Sequence, residues 1–191
     1  MFIACLFSYS EAGRPILSES STSLVVQVCS NTTDPKYCKH ALFSDPRASS
    51  ADSVVLAYIA NGLAYAKAQN ISDLIQTRLN SGGNEKPYIL AGFKACQESY
   101  TKAGRAMMEV LGNLDSETYC GFDTLAATAE NEINACENGF GQSPSPMAKE
   151  NRDMLKLVNK WRQPVLWVRR QMLGLGFLAA RRWWASDEVE R

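Results

Sequence analysis

The chain has 191 residues, 46% of them hydrophobic and 21% charged, with 20 basic and 20 acidic side chains. That length suits one domain of ordinary size with a short satellite element and excludes two full domains, and no apolar run reaches the roughly 18 to 20 residues of a membrane-spanning helix. The neutral total divides unevenly, with 13 basic and 17 acidic side chains over residues 1–159 and 7 and 3 over residues 160–191; an acidic body argues against nucleic acid as a partner, because phosphate binding rests on clustered Lys and Arg.

Residues 1–12 open the chain with "MFIACLFSYSEA", a brief apolar run ending in small residues but lacking a basic start. This is the pattern of a truncated or atypical secretory signal, with a plain disordered terminus as the alternative. Six cysteines agree with an oxidising, extracellular setting. Asn31-Thr32-Thr33 and Asn70-Ile71-Ser72 are then candidate glycan acceptors.

Apolar spacing is helical almost throughout and no stretch alternates with the period of a strand, so the chain reads as all-α. "SSTSLVVQVCSN" and "DPKYCKHALFSDP" predict two short helices forming a hairpin over 20–45, with Asp34 as cap and Pro35 in the first turn of the second. A long helix follows from a cap region at Ser50-Ala51-Asp52, with Val55, Tyr58, Ile59, Leu63, Ala66, Leu74, Ile75 and Leu79 expected toward a core, until "NSGGNEKP" stops it. The next helix has the clearest seam, Ile89, Phe93, Cys96, Tyr100, Ala103, Met107 and Val110, in alternating steps of four and three. A further helix is expected to start near Asp115 and carries Phe122, Ala126, Ala129, Ile133 and Cys136; Gly139 and Gly141 break it. Met147, Met154, Val158 and Trp161 mark a last helix that Pro164 kinks or stops. Long helices joined by such short connectors pack antiparallel, which predicts an up-and-down four-helix bundle over 50–160.

Cys29 and Cys38 bracket the turn of the hairpin. Zinc sites need four clustered ligands and the redox motif needs two intervening residues, so these cysteines read as a staple worth about 2 to 3 kcal/mol to helices too short to be stable alone. Cys96 and Cys136 fall on facing seams of antiparallel helices, where a second bridge would contribute about 4 kcal/mol; two free buried thiols are the alternative. Cys5 leaves with the signal, which makes Cys120 the unpaired thiol. His40 is the sole histidine and lies in the hairpin, so no base is at hand for a cysteine nucleophile. With no metal-ligand spacing, phosphate loop or acid-base constellation, the chain reads as no enzyme, without cofactor or metal.

The cysteine-bearing stretches "VCSNTTDPKYCKHALFSDPRASS", "ACQESYTKAGRAM" and "ACENGF", with eight and thirty-nine residues inside the two cysteine pairs, resemble the plant invertase and pectin methylesterase inhibitor family. The resemblance covers roughly Leu24 to Asn159. It implies a helical hairpin on a four-helix bundle, and a secreted, monomeric protein that binds a cell-wall carbohydrate enzyme one to one and blocks its substrate cleft. Invertase inhibitors share a Pro-Lys-Phe tripeptide at the start of the third bundle helix, where this chain reads "ETYCGFDT", whereas "SDPRASSAD" is more similar to pectin methylesterase inhibitors. Pectin methylesterase is therefore the expected partner, and cell-wall or vacuolar invertase the alternative.

By the same resemblance the partner contacts fall on two helices. On the first, Glu98 and Tyr100 match the esterase-inhibitor pattern, Ser99 stands for Asn, and Lys102 and Arg105 stand where acids are usual; on the second, Ala135 replaces Thr and Asn138 replaces Asp. After Lys160 the similarity stops, and residues 161–191 form a divergent tail rich in Arg and Trp. Alone, that tail resembles a membrane-surface segment, and Arg181-Arg182 resembles a dibasic processing site of the kind expected if the domain were a pro-region.

Overall fold

The computed structural model describes residues 21–30, 32, 34–81, 85–118, 121–141 and 144–159. The signal reading of 1–12, the sequon residue Asn31, Cys5, Cys120, Trp161 and the tail 161–191 lie outside the described residues. Every regular element among the described residues is helical.

The chain begins with a hairpin of two short helices, α1 (Ser21–Ser30) and α2 (Pro35–Leu42). The Asp34 carboxylate accepts from the Tyr37 amide at 3.0 Å, and Pro35 at the first position loses no hydrogen bond because its N–H would be orphaned anyway. The disulfide Cys29–Cys38 fastens the two helices. A 3₁₀ turn at Pro46–Ser49, capped by Asp45, leads the chain back to the bundle. Leu24, Val25, Val28, Leu42 and Ala48 bury the inner side of this unit in the main core.

Helix α3 (Ser53–Ser81) is capped by Asp52, whose carboxylate accepts from the Val55 amide at 2.9 Å. Its buried face coincides with the expected one in part: Ile59 and Ile75 are buried, and Val55, Tyr58, Leu63 and Leu79 are partly buried against the core. Ala66 is exposed and Leu74 is 39% exposed, while Leu56, Ala57, Ala60, Asn61, Ala64, Ala68 and Ile71 join Ile59 and Ile75 inside. Apolar residues encircle this helix, so spacing alone did not single out one stripe; the side rich in alanine is the one most deeply buried.

Helix α4 (Pro87–Asp115) buries Phe93, Cys96, Tyr100, Ala103, Met107 and Val110, with Ile89 half-buried at the edge. It also keeps Asp115, which the sequence assigned to the following helix. Leu114 extends the apolar seam of α4 by one more step of four, and the Ser116 and Thr118 amides donate back to the Gly112 and Asn113 carbonyls. Helix α5 therefore starts later, at Phe122–Asn138, behind Gly121 in the left-handed region at φ 76°, where a side chain would be strained. Phe122, Ala126, Ala129, Ile133 and Cys136 form its buried stripe. Residues 148–159 form α6, which buries Met154 and Val158, with Met147 buried just before it.

Four contacts fix the directions. Asn61, early in α3, bonds to the carbonyl of Met107, late in α4. The disulfide Cys96–Cys136 joins the first part of α4 to the end of α5. Asn151, early in α6, reaches Glu137 at the end of α5 and Tyr100 of α4. Successive helices thus run antiparallel, giving the disulfide-stapled, up-and-down four-helix bundle.

Candidate functional site

Helices α4 and α5 share the most firmly pinned surface of the bundle. Cys96 and Cys136 are fully buried and bonded, with Cα atoms 4.1 Å apart. One turn away, Phe140 seats its ring edge-on to Phe93, with centroids 5.4 Å apart. That ring fits because residue 92 is glycine: a Cβ there would lie 2.3 Å from Phe140 Cδ1. Gly139 permits a second close approach, since a Cβ would meet the Ala95 Cβ at 3.0 Å.

A buried polar chain lies beneath. The Tyr100 hydroxyl donates to Asn151 Oδ1 at 2.9 Å, and Asn151 Nδ2 donates to Glu137 Oε2 at 2.6 Å. The Tyr100 phenol is pushed well above its usual range, first by burial and then by the Glu150 and Glu137 carboxylates. It is therefore neutral at ordinary pH and serves as a fixed donor. The chain ties α4, α5 and α6 at the level of the disulfide.

On the outside, Glu98, Lys102 and Arg105 are exposed on α4 and Ala135 and Asn138 on α5. These five are exposed on two adjoining helices whose register the Cys96–Cys136 bond sets. Lys102 Nζ spans the groove to Glu132 Oε1 at 3.8 Å. Ser99 does not belong to this surface: it is 7% exposed, since a step of three from Cys96 turns it inward beside Tyr100. Asn70 is exposed on α3, and the Ser72 hydroxyl of its sequon accepts from Gln97 Nε2 at 2.8 Å. His40 is exposed on α2.

Sequence reading missed Asn151 and Asn61. Both were detectable as polar residues at seam positions, Asn151 between Met147 and Met154 and Asn61 between Ala57 and Ala64. In the connector before α3, the Arg47 side chain grips the Asp45 carboxylate, with Nη2 to Oδ2 at 2.6 Å. This bond, seconded by the Arg47 backbone amide, holds the carboxyl down to about 2. Among the described residues no group of three or more His, Cys, Asp or Glu could hold a metal ion, and no helix is long and apolar enough to cross a membrane.

Residues 23–160 match the family described as plant invertase/pectin methylesterase inhibitor. The chain is 26% identical over 157 residues to a pectinesterase inhibitor of Actinidia deliciosa, covering 82% of this chain and 83% of the relative. It is 29% identical over 131 residues to a cell wall / vacuolar inhibitor of fructosidase of Arabidopsis thaliana, covering 68% and 72%. The crystal structure of a pectin methylesterase inhibitor from Arabidopsis thaliana has the same fold, with a TM-score of 0.55 at 18% identity, covering 75% of this chain and 94% of that one. These relatives are named as inhibitors of enzymes rather than as enzymes.

Proposed function

The chain belongs to the plant invertase/pectin methylesterase inhibitor family, and from this premise we propose that it is a secreted, monomeric inhibitor of pectin methylesterase, itself no enzyme, that forms a 1:1 complex and blocks the substrate cleft. The observation that carries the reading is that the matched segment spans the whole pinned α4–α5 face. A face held by a disulfide, an aromatic seat and a buried polar chain loses little conformational freedom on docking, so more of the contact energy remains as affinity. Exposed Glu98, Lys102, Arg105, Ala135 and Asn138 are its proposed partner contacts, with buried Ser99 supporting them from below.

The choice of esterase over invertase rests on the approach to α5, where Gly121 directly precedes Phe122 and neither Pro nor Lys is present. The invertase reading stays as the alternative, favoured by the relative named as an inhibitor of fructosidase. Two disulfides suit an oxidising compartment, and Asn70, exposed on α3, and Asn31 are proposed glycan acceptors.

The test is a titration of the oxidised protein against a plant pectin methylesterase and a cell-wall invertase at mildly acidic pH, following residual activity. Loss of esterase activity with a break at one equivalent is the expected result. Inhibition of invertase alone transfers the assignment to the alternative; inhibition of neither by a helical, monodisperse sample rejects both.

A further inference from the structure

The outward residues of α5 are uncharged. Thr124, Asn131, Asn134, Ala135 and Asn138 are exposed at steps of three, four and seven, so they line the side of the helix opposite its buried stripe. The helix is not poor in charge: it carries Asp123, Glu130, Glu132 and Glu137 and no basic residue. Its carboxylates lie to the sides and are engaged there. Glu132 faces Lys102 of α4, Glu137 accepts from Asn151 of α6, and Asp123 and Glu130 have interactions of their own. What remains outward is a strip of amides and a hydroxyl, able to donate and accept hydrogen bonds without a charge to desolvate.

The neighbouring face of α4 is charged. Lys94, Glu98, Arg105 and Glu109 are exposed, and the helical spacing places Lys94 and Arg105, eleven residues apart, on one line, with Glu98 between them. With the register fixed by Cys96–Cys136, Lys94 lies level with Asn138 and Glu98 with Asn134. Lys94 and Arg105 have no ion-pair partner within 4.0 Å among the described residues, whereas Lys102 is drawn across to α5. The two cations are thus free to meet carboxylates of a partner, and the α5 strip beside them is neutral.

We propose that the α4–α5 face docks on an enzyme surface that is acidic opposite Lys94 and Arg105 and uncharged but rich in hydrogen-bonding groups opposite Asn131, Asn134 and Asn138. This rests on the inhibitor reading and adds which chemistry of target is selected: a cleft whose lining normally reads neutral sugar hydroxyls meets the amide strip, and an acidic rim meets α4. The division of labour follows from physics. Rim charges act over a Debye length and set the rate of encounter, while buried hydrogen bonds are lost only when the complex separates.

The test measures association and dissociation rates by surface plasmon resonance at low and high salt against pectin methylesterases and invertases of differing surface charge. Lys94→Glu/Arg105→Glu and Asn131→Asp/Asn134→Asp are the variants, each checked for helicity. The wild type is expected to associate fastest with enzymes whose cleft rim is acidic. The α4 variant is expected to slow association about tenfold at low salt, with the difference closing at high salt, as rim charges do. The α5 variant is expected to speed dissociation at both salts, because each new carboxylate must be desolvated. Association unchanged or faster in the α4 variant overturns the proposal while leaving the inhibitor reading intact, and so does an α5 variant without effect. A wild type that binds only de-esterified pectin, or that binds neither enzyme class, overturns both.

Discussion

Gly92→Ala sets two terms of opposite sign against each other. In the interior of a helix, alanine in place of glycine is favourable by about 1 kcal/mol. Here the added methyl would lie 2.3, 2.5 and 2.9 Å from Cδ1, Cε1 and Cγ of Phe140. The ring has little room to yield, being 4% exposed and seated against Phe93. Overpacking of that kind costs about 1 to 3 kcal/mol, so the net expectation is destabilisation of about 1 kcal/mol, or roughly 2 to 4 °C in a domain of this size. Gly62, in the interior of α3, has nothing within 4 Å of the same added atom, so Gly62→Ala is expected to stabilise by about 0.5 to 1 kcal/mol. Urea and thermal unfolding followed by circular dichroism read both, and placing Gly92→Ala in a Phe140→Ala background isolates the contact as a coupling energy. If Gly92→Ala stabilises as much as Gly62→Ala, or if its effect is unchanged without the Phe140 ring, the steric reasoning is wrong.

Tyr100→Phe removes the donor to Asn151 and is expected to cost about 1 to 2 kcal/mol near neutral pH by denaturant unfolding. Because burial raises the folded phenol above its unfolded value of about 10, the wild type should hold its full stability below that pH and lose it as pH rises further; the variant should lack this alkaline loss. Asn61→Asp replaces the amide that donates to the Met107 carbonyl at 2.7 Å with a fully buried carboxyl. The cost should be about 3 kcal/mol or more at neutral pH and smaller in acid, where the protonated group can donate, and a pH series of melts would reveal a flat response if the site were wet. Replacing Cys96 and Cys136 by alanine should cost about 4 kcal/mol, against about 2 to 3 for Cys29 and Cys38, since the closed loops span 40 and 9 residues; equal losses in equilibrium unfolding would contradict the loop-entropy account.

Where one stripe of a helix is apolar and the rest polar, the sequence was sufficient. The seams of α4 and α5 were legible because the larger apolar residues recur at three or four with mostly small or polar residues between. On α3 that contrast fails, since Leu74 and Ala66 face solvent while a line of alanines and Asn61 is buried. The α4–α5 boundary was misplaced because Asp115 looks like a helix start but ends one; the deciding feature is the left-handed φ of Gly121, which spacing does not encode. At the candidate site, a resemblance in sequence could name Ser99 as a contact but could not tell that its position turns inward. Nor could it reveal the lateral engagement of the α5 carboxylates, which depends on Lys102 and Asn151 arriving from other helices.

The fastenings of the bundle are not spread evenly, and their placement bears on function. The Cys96–Cys136 bond, the Phe93–Phe140 seat over Gly92, and the Tyr100–Asn151–Glu137 chain all fall where the first half of α4 meets the end of α5. A helix anchored at one end holds the residues near that end, here Asn131, Asn134 and Asn138, at nearly fixed spacing from Lys94 and Glu98 on α4. Fixed spacing is what a face of short amides needs, because such side chains cannot stretch to meet a partner as lysines do, and a displacement of about 1 Å already carries a hydrogen bond out of range. Concentrating the bracing beside the amide strip therefore leaves the proposed docking face less conformational freedom to lose when it meets a partner.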